Sequence, residues 1–343
     1  MLKFALLGCG RIGCLHAGNI TANSEVELSC VYDINSALAV SVAKKFSAKK
    51  ISDIDEIFQS DQIDAILIAS STPTHADYIE RAVASQKPVL CEKPIDLNLK
   101  RVNEIYEKIK NSGVLIQMGF NRRFDPGHLA AKRVFQEGKI GDLHQVLITS
   151  RDPEMPSRSY YETAGVLFRD MTIHDFDLAR FMLEEEPEDV FAIAGGLIDP
   201  PLMSELGDHD SAMIILRTES GKQCFINNSR TAVYGYDQRV ELLGSCGMVQ
   251  SNNKTPNSMQ IFNKDGSQIS EPFQYFFIER YSESFRAELN AFVDSIKIGK
   301  PAKVGFEDGR KALILAEAAY LSLKQNRVVK VNEIIEMTHY NRG

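Results

Sequence analysis

No apolar run in this 343-residue chain is long enough to span a bilayer, and the opening Met1-Leu-Lys-Phe-Ala-Leu-Leu-Gly8 is too short a run for a signal peptide. Both absences point to a cytoplasmic protein with no membrane partner. The chain also lacks a basic block or a basic-aromatic stripe. Arg122-Arg123 and Lys49-Lys50 are isolated pairs, and the formal net charge is -7, which argues against a nucleic-acid partner. Cysteine is sparse: the six residues at 9, 14, 30, 91, 224 and 246 form neither a C-x-x-C pair nor a spacing typical of zinc sites. Most sit among apolar residues, so buried, reduced thiols are expected and no metal. Internal repeats and low-complexity segments are missing as well.

What is present is a soluble, globular composition, 44% apolar and 25% charged, on a chain too long for one ordinary core. Two domains are therefore expected, 1–120 and 121–343. The first opens with the short apolar strand Phe4-Ala-Leu-Leu7, which runs into Gly8-Cys-Gly10-Arg11-Ile12-Gly13 and then a helical Leu15–Ile20. Strand, G-x-G-x-x-G, helix is the context a dinucleotide fingerprint needs. Gly8 makes the tight turn, Gly10 lets backbone approach a pyrophosphate, and Gly13 lets helix and strand pack closely. A second strand, Glu27-Leu-Ser-Cys-Val-Tyr-Asp33, ends in an acid 20 residues after Gly13. A carboxylate there hydrogen-bonds ribose hydroxyls and repels a 2'-phosphate, and Asp33-Ile34-Asn35 offers no Arg to hold one. NAD is favoured over NADP.

Alternation then continues: helix near 36–46, strand 65–69, helix 75–85, strand 88–91, helix 98–111, strand 114–118. Continuous apolar strands between amphipathic helices mean a doubly wound parallel sheet covered on both faces. Asp96 or Asn98 can cap the helix that starts near 98. Polar groups follow two strand ends, where such sheets bind ligands: Ser70-Ser-Thr72-Pro-Thr-His75 and Glu92-Lys93-Pro94.

After Met118 the pattern changes. A linker, 119–126, and a helix to about Gln136 lead into successive strand-like stretches: 144–150, 190–194, 211–216, 223–227, 239–243 and 259–262. Strands without intervening helices imply an α+β domain built on a large, mostly antiparallel sheet. Helices near 166–183, 280–297 and 307–325 could cover one face, leaving the other for a second copy, dimer or tetramer. Within Val166–Leu183, read as one helix, Asp170 and His174 lie a turn apart on one face. A carboxylate so placed can orient an imidazole that accepts a proton from a hydroxyl; the alternative is a helix cap beside an inert histidine. Polar 151–162, restrained by Pro153 and Pro156, reads as a binding loop. Tyr234 and Tyr236 are either packed on the sheet or aimed into a cleft.

With these residues laid out, the chain resembles the oxidoreductase family of glucose-fructose oxidoreductases and inositol dehydrogenases. Gly8-Cys-Gly10-Arg-Ile-Gly13 with His16, Thr72-Pro-Thr-His75, Glu92-Lys93-Pro94 and Gly119-Phe-Asn-Arg122-Arg123-Phe-Asp125 carry the general resemblance. Ser150-Arg-Asp152-Pro153, Asp170-Met-Thr-Ile-His174-Asp-Phe-Asp177, Asn228-Ser-Arg230 and Tyr234-Gly-Tyr-Asp-Gln-Arg239 are more particular to its inositol branch. The resemblance implies an NAD-binding Rossmann domain in which Gly8, Gly10, Arg11, Ile12, Gly13, Asp33, Ser70, Thr72, His75, Glu92 and Lys93 serve the cofactor. It implies a catalytic set of Lys93, Asp170 and His174, with a cis peptide before Pro94. Arg123, Asp152 and one of Tyr234 or Tyr236 would hold the substrate. The reaction implied is NAD-dependent oxidation of a secondary ring hydroxyl of a cyclic polyol, myo-inositol first. Scyllo-inositol or another sugar is the alternative, and a non-catalytic NAD-binding regulator the distant one. One departure is Thr163-Ala164-Gly165, where many relatives carry Ser-Gly-Gly.

Overall fold

The structure, a computed structural model, describes residues 1–340, with side chains for all of these but 162–164, 339 and 340. It divides into two compact units, Met1–Asn121 with Ser284–Leu313, and Arg122–Glu283 with Ile314–Gly343.

In the first unit β1 (Leu2–Leu7), β2 (Val26–Tyr32), β3 (Lys49–Lys50), β4 (Ala65–Ile68), β5 (Val89–Glu92) and β6 (Ile116–Gly119) form one sheet in the order β3-β2-β1-β4-β5-β6. All its pairings are parallel. The order reverses between β1 and β4, so the first strand's end and the β4 end open at the same point, as in doubly wound nucleotide-binding sheets. Between the strands run α1 (Arg11–Ala22), α2 (Ser36–Phe46), α3 (Asp55–Gln59), α4 (His75–Ala84) and α5 (Leu99–Ile109). Asn98, one of the two expected caps, accepts from the Lys100 amide at 2.9 Å. β4 reads Ala-Ile-Leu-Ile and is buried throughout, because helices cover both faces of a parallel sheet.

One expectation fails here. The helix near 280–297, α12 (Ser282–Ile298), does not cover the second sheet. Its Leu289, Phe292 and Val293 join Phe4, Leu6, Leu67 and Leu90 in the core of the first, and the Phe292 and Phe4 rings meet edge to face at 5.9 Å. An apolar helical period shows that a face is covered, not which sheet covers it.

In the second unit α6 (Pro126–Gln136) is capped by the Asp125 carboxylate, which accepts from the Gly127 and His128 amides. The large sheet holds β7 (Leu143–Arg151), β8 (Pro187–Gly195), β9 (Ser211–Thr218), β10 (Gln223–Ser229), β11 (Asp237–Gly244), β12 (Gly247–Ser251) and β15 (Val329–Lys330) in the order β12-β11-β7-β10-β9-β8-β15. Every pairing is antiparallel except β7 with β10. The stretch expected at 259–262 is instead one arm of a separate hairpin, β13 (Gln260–Asn263) with β14 (Gly266–Ser270). α7 (Arg158–Ala164), α8 (Leu167–Asp170) and α9 (Thr172–Leu183) lie between β7 and β8, followed later by α10 (Pro200–Leu206), α11 (Phe277–Arg280), α13 (Phe306–Gln325) and α14 (Val331–Tyr340). α9 packs against β7 and β10. Elsewhere on the same sheet Ile193 of β8, Met213 and Ile215 of β9, Leu243 of β11 and Met248 of β12 are exposed. Among the described residues no helix is long and apolar enough to cross a membrane.

Two local expectations are also revised. The 151–162 loop is a loop only from Asp152 to Ser157; beyond Pro156 nothing breaks a helix until Gly165, at φ +87°, so α7 forms. The helix expected over 166–183 is interrupted at Met171. There the Thr172 hydroxyl donates to Asn228 Oδ1 at 2.6 Å and lies 3.4 Å from the Leu167 carbonyl, a side-chain interaction that an apolar period does not reveal.

Candidate active site

At the switch point of the first sheet the backbone itself makes the site. Gly8 has φ +99°, and a Cβ there would lie 2.4 Å from the Ala69 backbone; a Cβ on Gly13 would lie 2.0 Å from the Gly8 carbonyl. Both positions therefore demand glycine, one for the turn and one for the approach of α1 to β1. A Cβ on Gly10 would meet nothing within 4 Å, so open space lies over the turn where a pyrophosphate fits. No side chain caps α1. Its first N–H groups are left for an anion at the positive end of the helix, with exposed Arg11 and half-buried Ile12 in that turn.

Asp33 stands at the end of β2. Its Oδ2 accepts from the Cys9 amide at 2.6 Å and its Oδ1 from the Asn35 amide at 2.7 Å, so the acid is fixed beside the glycine turn. Burial and then the Asp33 charge push the Cys9 thiol up to about 12, which keeps it protonated next to the carboxylate. The glycine turn, the uncapped helix end and the fixed Asp33 carboxylate fit a dinucleotide.

Along the same strand edge, Ser70 Oγ and Thr74 Oγ1 share a hydrogen bond of 2.6 Å, and buried Thr72 begins a 3-10 turn. His75 is buried, its Nδ1 2.7 Å from the Pro94 carbonyl and its Nε2 2.9 Å from the Ser70 carbonyl. Burial lowers its pKa, so the ring is neutral and donates to one of the two carbonyls, joining the loops after β4 and β5. The Lys93-Pro94 peptide is cis, as the family resemblance implies. Glu92 Oε1 pairs with buried His16 Nε2 at 2.8 Å, and Lys93 is half-buried.

The second unit holds a different kind of site, made of charged side chains with little exposure. Asp170, at the end of α8, is 5% exposed; its Oδ1 accepts from Tyr160 Oη at 2.9 Å and its Oδ2 from Arg230 Nη2 at 2.9 Å. Arg230 Nη1 donates to Asp152 Oδ2 at 3.2 Å. Burial raises the Asp152 pKa; Arg230 opposes that rise and the Asp170 charge adds to it. His174 follows in the first turn of α9, and from Met171 to Arg180 it alone is not buried.

Beside this group Arg122 pairs with Asp175 and donates to Ser150 Oγ at 3.2 Å, while Asn228 Nδ2 donates to the other Asp175 oxygen at 2.8 Å. Burial works against the Arg122 charge, yet Asp175 holds its pKa above the usual value. The structure puts Arg123 elsewhere: its Nε and Nη2 bind Asp177 at 2.8 and 2.6 Å. The two tyrosines also separate. Tyr234 is 40% exposed, donating to Asp237 at 2.9 Å and accepting from Arg151 at 2.7 Å. Tyr236 is buried against Tyr281 and Phe276, close enough to Arg122 and Asp152 for their charges to act on its hydroxyl.

Residues 2–120 match the family model described as the oxidoreductase family with an NAD-binding Rossmann fold, and residues 128–250 match the GFO/IDH/MocA C-terminal domain. An inositol 2-dehydrogenase of Rhizobium meliloti is 42% identical over 330 residues, covering 96% of this chain and 99% of that protein. The chain belongs to the GFO/IDH/MocA oxidoreductase family. Among solved structures it is similar to a myo-inositol dehydrogenase from Corynebacterium glutamicum, at TM-score 0.93 and 40% identity over 96% of this chain and 98% of that one. It is also similar to a scyllo-inositol dehydrogenase from Lactobacillus casei with bound NAD(H) and scyllo-inositol, at TM-score 0.90 and 29% identity over 97% and 99%.

As a GFO/IDH/MocA member the chain is an NAD-dependent oxidoreductase acting on a CH–OH group, and the regulator reading is set aside. Two residues of the charged group escaped sequence reasoning. Arg230 was visible only as the end of Asn228-Ser-Arg230, and Tyr160 only as one of several polar residues after Pro156; nothing in spacing says that both reach Asp170. The side chains of Thr163 and Ala164, where the sequence departs from many relatives, lie outside the described residues.

Proposed function

We propose that the chain oxidises one secondary ring hydroxyl of a cyclic polyol, myo-inositol in preference to scyllo-inositol, with Lys93, Asp170 and His174 as the catalytic set. The supporting observation is that one guanidinium bridges buried Asp170 and half-buried Asp152, with His174, which keeps some exposure, four residues after Asp170. Carboxylates only accept hydrogen bonds, and a polyol presents several hydroxyl donors at fixed spacing. NAD supplies the hydride acceptor when bound. His174 takes the hydroxyl proton, and Asp170 steadies the imidazolium that results. Lys93 donates a hydrogen bond to the same oxygen and favours its developing negative charge. Asp152 and Tyr236 hold neighbouring hydroxyls, with Arg123 and Tyr234 in the wider shell.

The relatives named for myo-inositol and for scyllo-inositol leave the choice of isomer to experiment. The test is a panel of myo-inositol, scyllo-inositol and hexoses, each with NAD and with NADP, followed by absorbance of the reduced cofactor. Turnover of myo-inositol with NAD is expected, with NADP much poorer because Asp33 repels its 2'-phosphate. Reduction with hexoses alone would overturn the substrate, and equal use of NADP would overturn the role of Asp33.

Assembly is part of the proposal. Ile215 sits opposite Phe191 on one neighbouring strand and Phe225 on the other, and Met213 opposite Ile193, so the open face carries a continuous apolar strip. Such a strip suits a second copy of the chain. Ile215→Arg with Met213→Glu should lower the mass seen by light scattering; an unchanged mass would reject this face. We place the reaction in the cytoplasm, where the buried thiols of Cys9, Cys30, Cys91 and Cys224 stay reduced.

A further inference from the structure

Several arginines in the second unit bind a carboxylate side-on. Arg123 with Asp177, Arg169 with Glu317 and Arg180 with Glu186 each present Nε and Nη2 side-on to both oxygens of one acid. That fork is the geometry in which a guanidinium and a carboxylate satisfy one another best. Arg230 does otherwise. Its two terminal nitrogens go to two different acids, Asp170 and Asp152, and its buried Nε has no hydrogen-bond partner among the described residues. Buried Arg280 also leaves its Nε unmet, but it pairs with the single acid Asp125, whereas Arg230 spans two acids of the candidate site.

We propose that Arg230 is a positioning residue, holding the Asp170 and Asp152 carboxylates side by side and ionised so that both present acceptors to the substrate. The inference rests on the proposed reaction and adds to it a residue that does not touch the reacting atoms. Two carboxylates this close in a buried site do not both stay charged without a cation, and a protonated acid presents a donor where a hydroxyl needs an acceptor. Arg230 is 3% exposed, and the two acids hold its charge against burial. Tyr160 fixes the remaining Asp170 oxygen. The other charged or titratable groups facing the pair are Arg122 and Tyr236 near Asp152, and Tyr161 and Asp208 around Arg230; His174 follows Asp170 by four residues, past the break at Met171.

Arg230→Gln keeps polar bulk and removes the charge. Its kcat/KM for the polyol should fall on the order of 100-fold, the scale of a lost charged hydrogen bond, with the loss mainly in kcat and NAD affinity unchanged. Without the cation the carboxylates ionise at higher pH, so the acid limb of kcat/KM should move up by about one unit or more. Arg230→Lys restores a point charge but cannot span two acids, so it should return the limb towards its original pH while recovering only part of kcat. A merely structural role would not shift the limb or show this split.

The same claim is read without turnover by infrared spectroscopy at neutral pH. Arg230→Gln should show a protonated-carboxyl band that the parent protein lacks and that Asp152→Asn in the same background abolishes. Should Arg230→Gln keep the parent limb and show no such band, the inference is wrong. A parent protein inactive on every polyol would instead defeat the proposed reaction, while the infrared result would still decide the role of Arg230. If Arg230→Gln does not fold, Arg230→Lys alone carries the test: full kcat in that variant would overturn the inference.

Discussion

The two units make their sites by opposite means. In the first, the candidate surface is backbone: glycines too crowded to bear a Cβ, uncapped helix N–H groups and one acid fixed by two amides. In the second it is a packed set of charges, with Asp170, Arg230, Arg122 and Asp175 almost wholly removed from water and Asp152 half-buried beside them. A backbone site is written in sequence as a spacing, because glycines must fall at set intervals. A charge cluster is written as pairs far apart in the chain, which no local window reveals.

The comparison is sharpest if the two sites can be damaged separately. The largest effect is expected from His174→Ala, which should lower kcat by about 10²- to 10⁴-fold while leaving NAD affinity nearly intact by calorimetry. Loss of NAD binding in that variant, or surviving turnover, would remove His174 from its role. Gly13→Ala should do the reverse. The added methyl, 2.0 Å from the Gly8 carbonyl, forces α1 away from β1, and NAD affinity should fall roughly 10- to 100-fold, the scale of overpacking. An unchanged affinity would show that the turn tolerates a Cβ.

The smallest effect concerns His128, buried in the second unit with Nδ1 2.9 Å from Ser251 Oγ. Burial lowers its pKa from 6.5 to about 4, so between those values the unfolded chain binds a proton that the folded one refuses. Stability is intact above 6.5 and is lost as pH falls towards 4, by at most about 1.4 kcal/mol per pH unit from this group. Denaturant titrations of His128→Gln should show a shallower decline over that window; an identical slope would assign the acid sensitivity elsewhere.

Much of the first unit was legible for a physical reason. Fully buried strands such as Ala65-Ile-Leu-Ile68 leave continuous apolar runs, and the order strand, glycine turn, helix is local. The short β3 and α3 were not, being too brief to leave a period. In the second unit the alternating strands were readable, while the break at Met171 and the start of α7 were not, since both depend on side-chain contacts or proline limits rather than hydrophobic rhythm. Of the candidate site, Asp170, His174 and Asp152 were singled out in advance, but their partners Arg230 and Tyr160 were not. Arg123 was noticed for its charge, whereas its Asp177 partner lies 54 residues on and marks no pattern.

The lone parallel pairing in the second sheet has a topological consequence. Because β7 and β10 run the same way with Ser229 level with Arg151, the chain leaves both strands at one edge, and the Asp152 amide donates to the Ser229 carbonyl at 2.9 Å. Asp152 and Arg230 are thus delivered as neighbours by hydrogen-bond register alone. Reversing either strand would carry one of them to the far rim. Two strands that run the same way require a long return path, and the segment spent on that path is the one carrying Tyr160, Asp170 and His174.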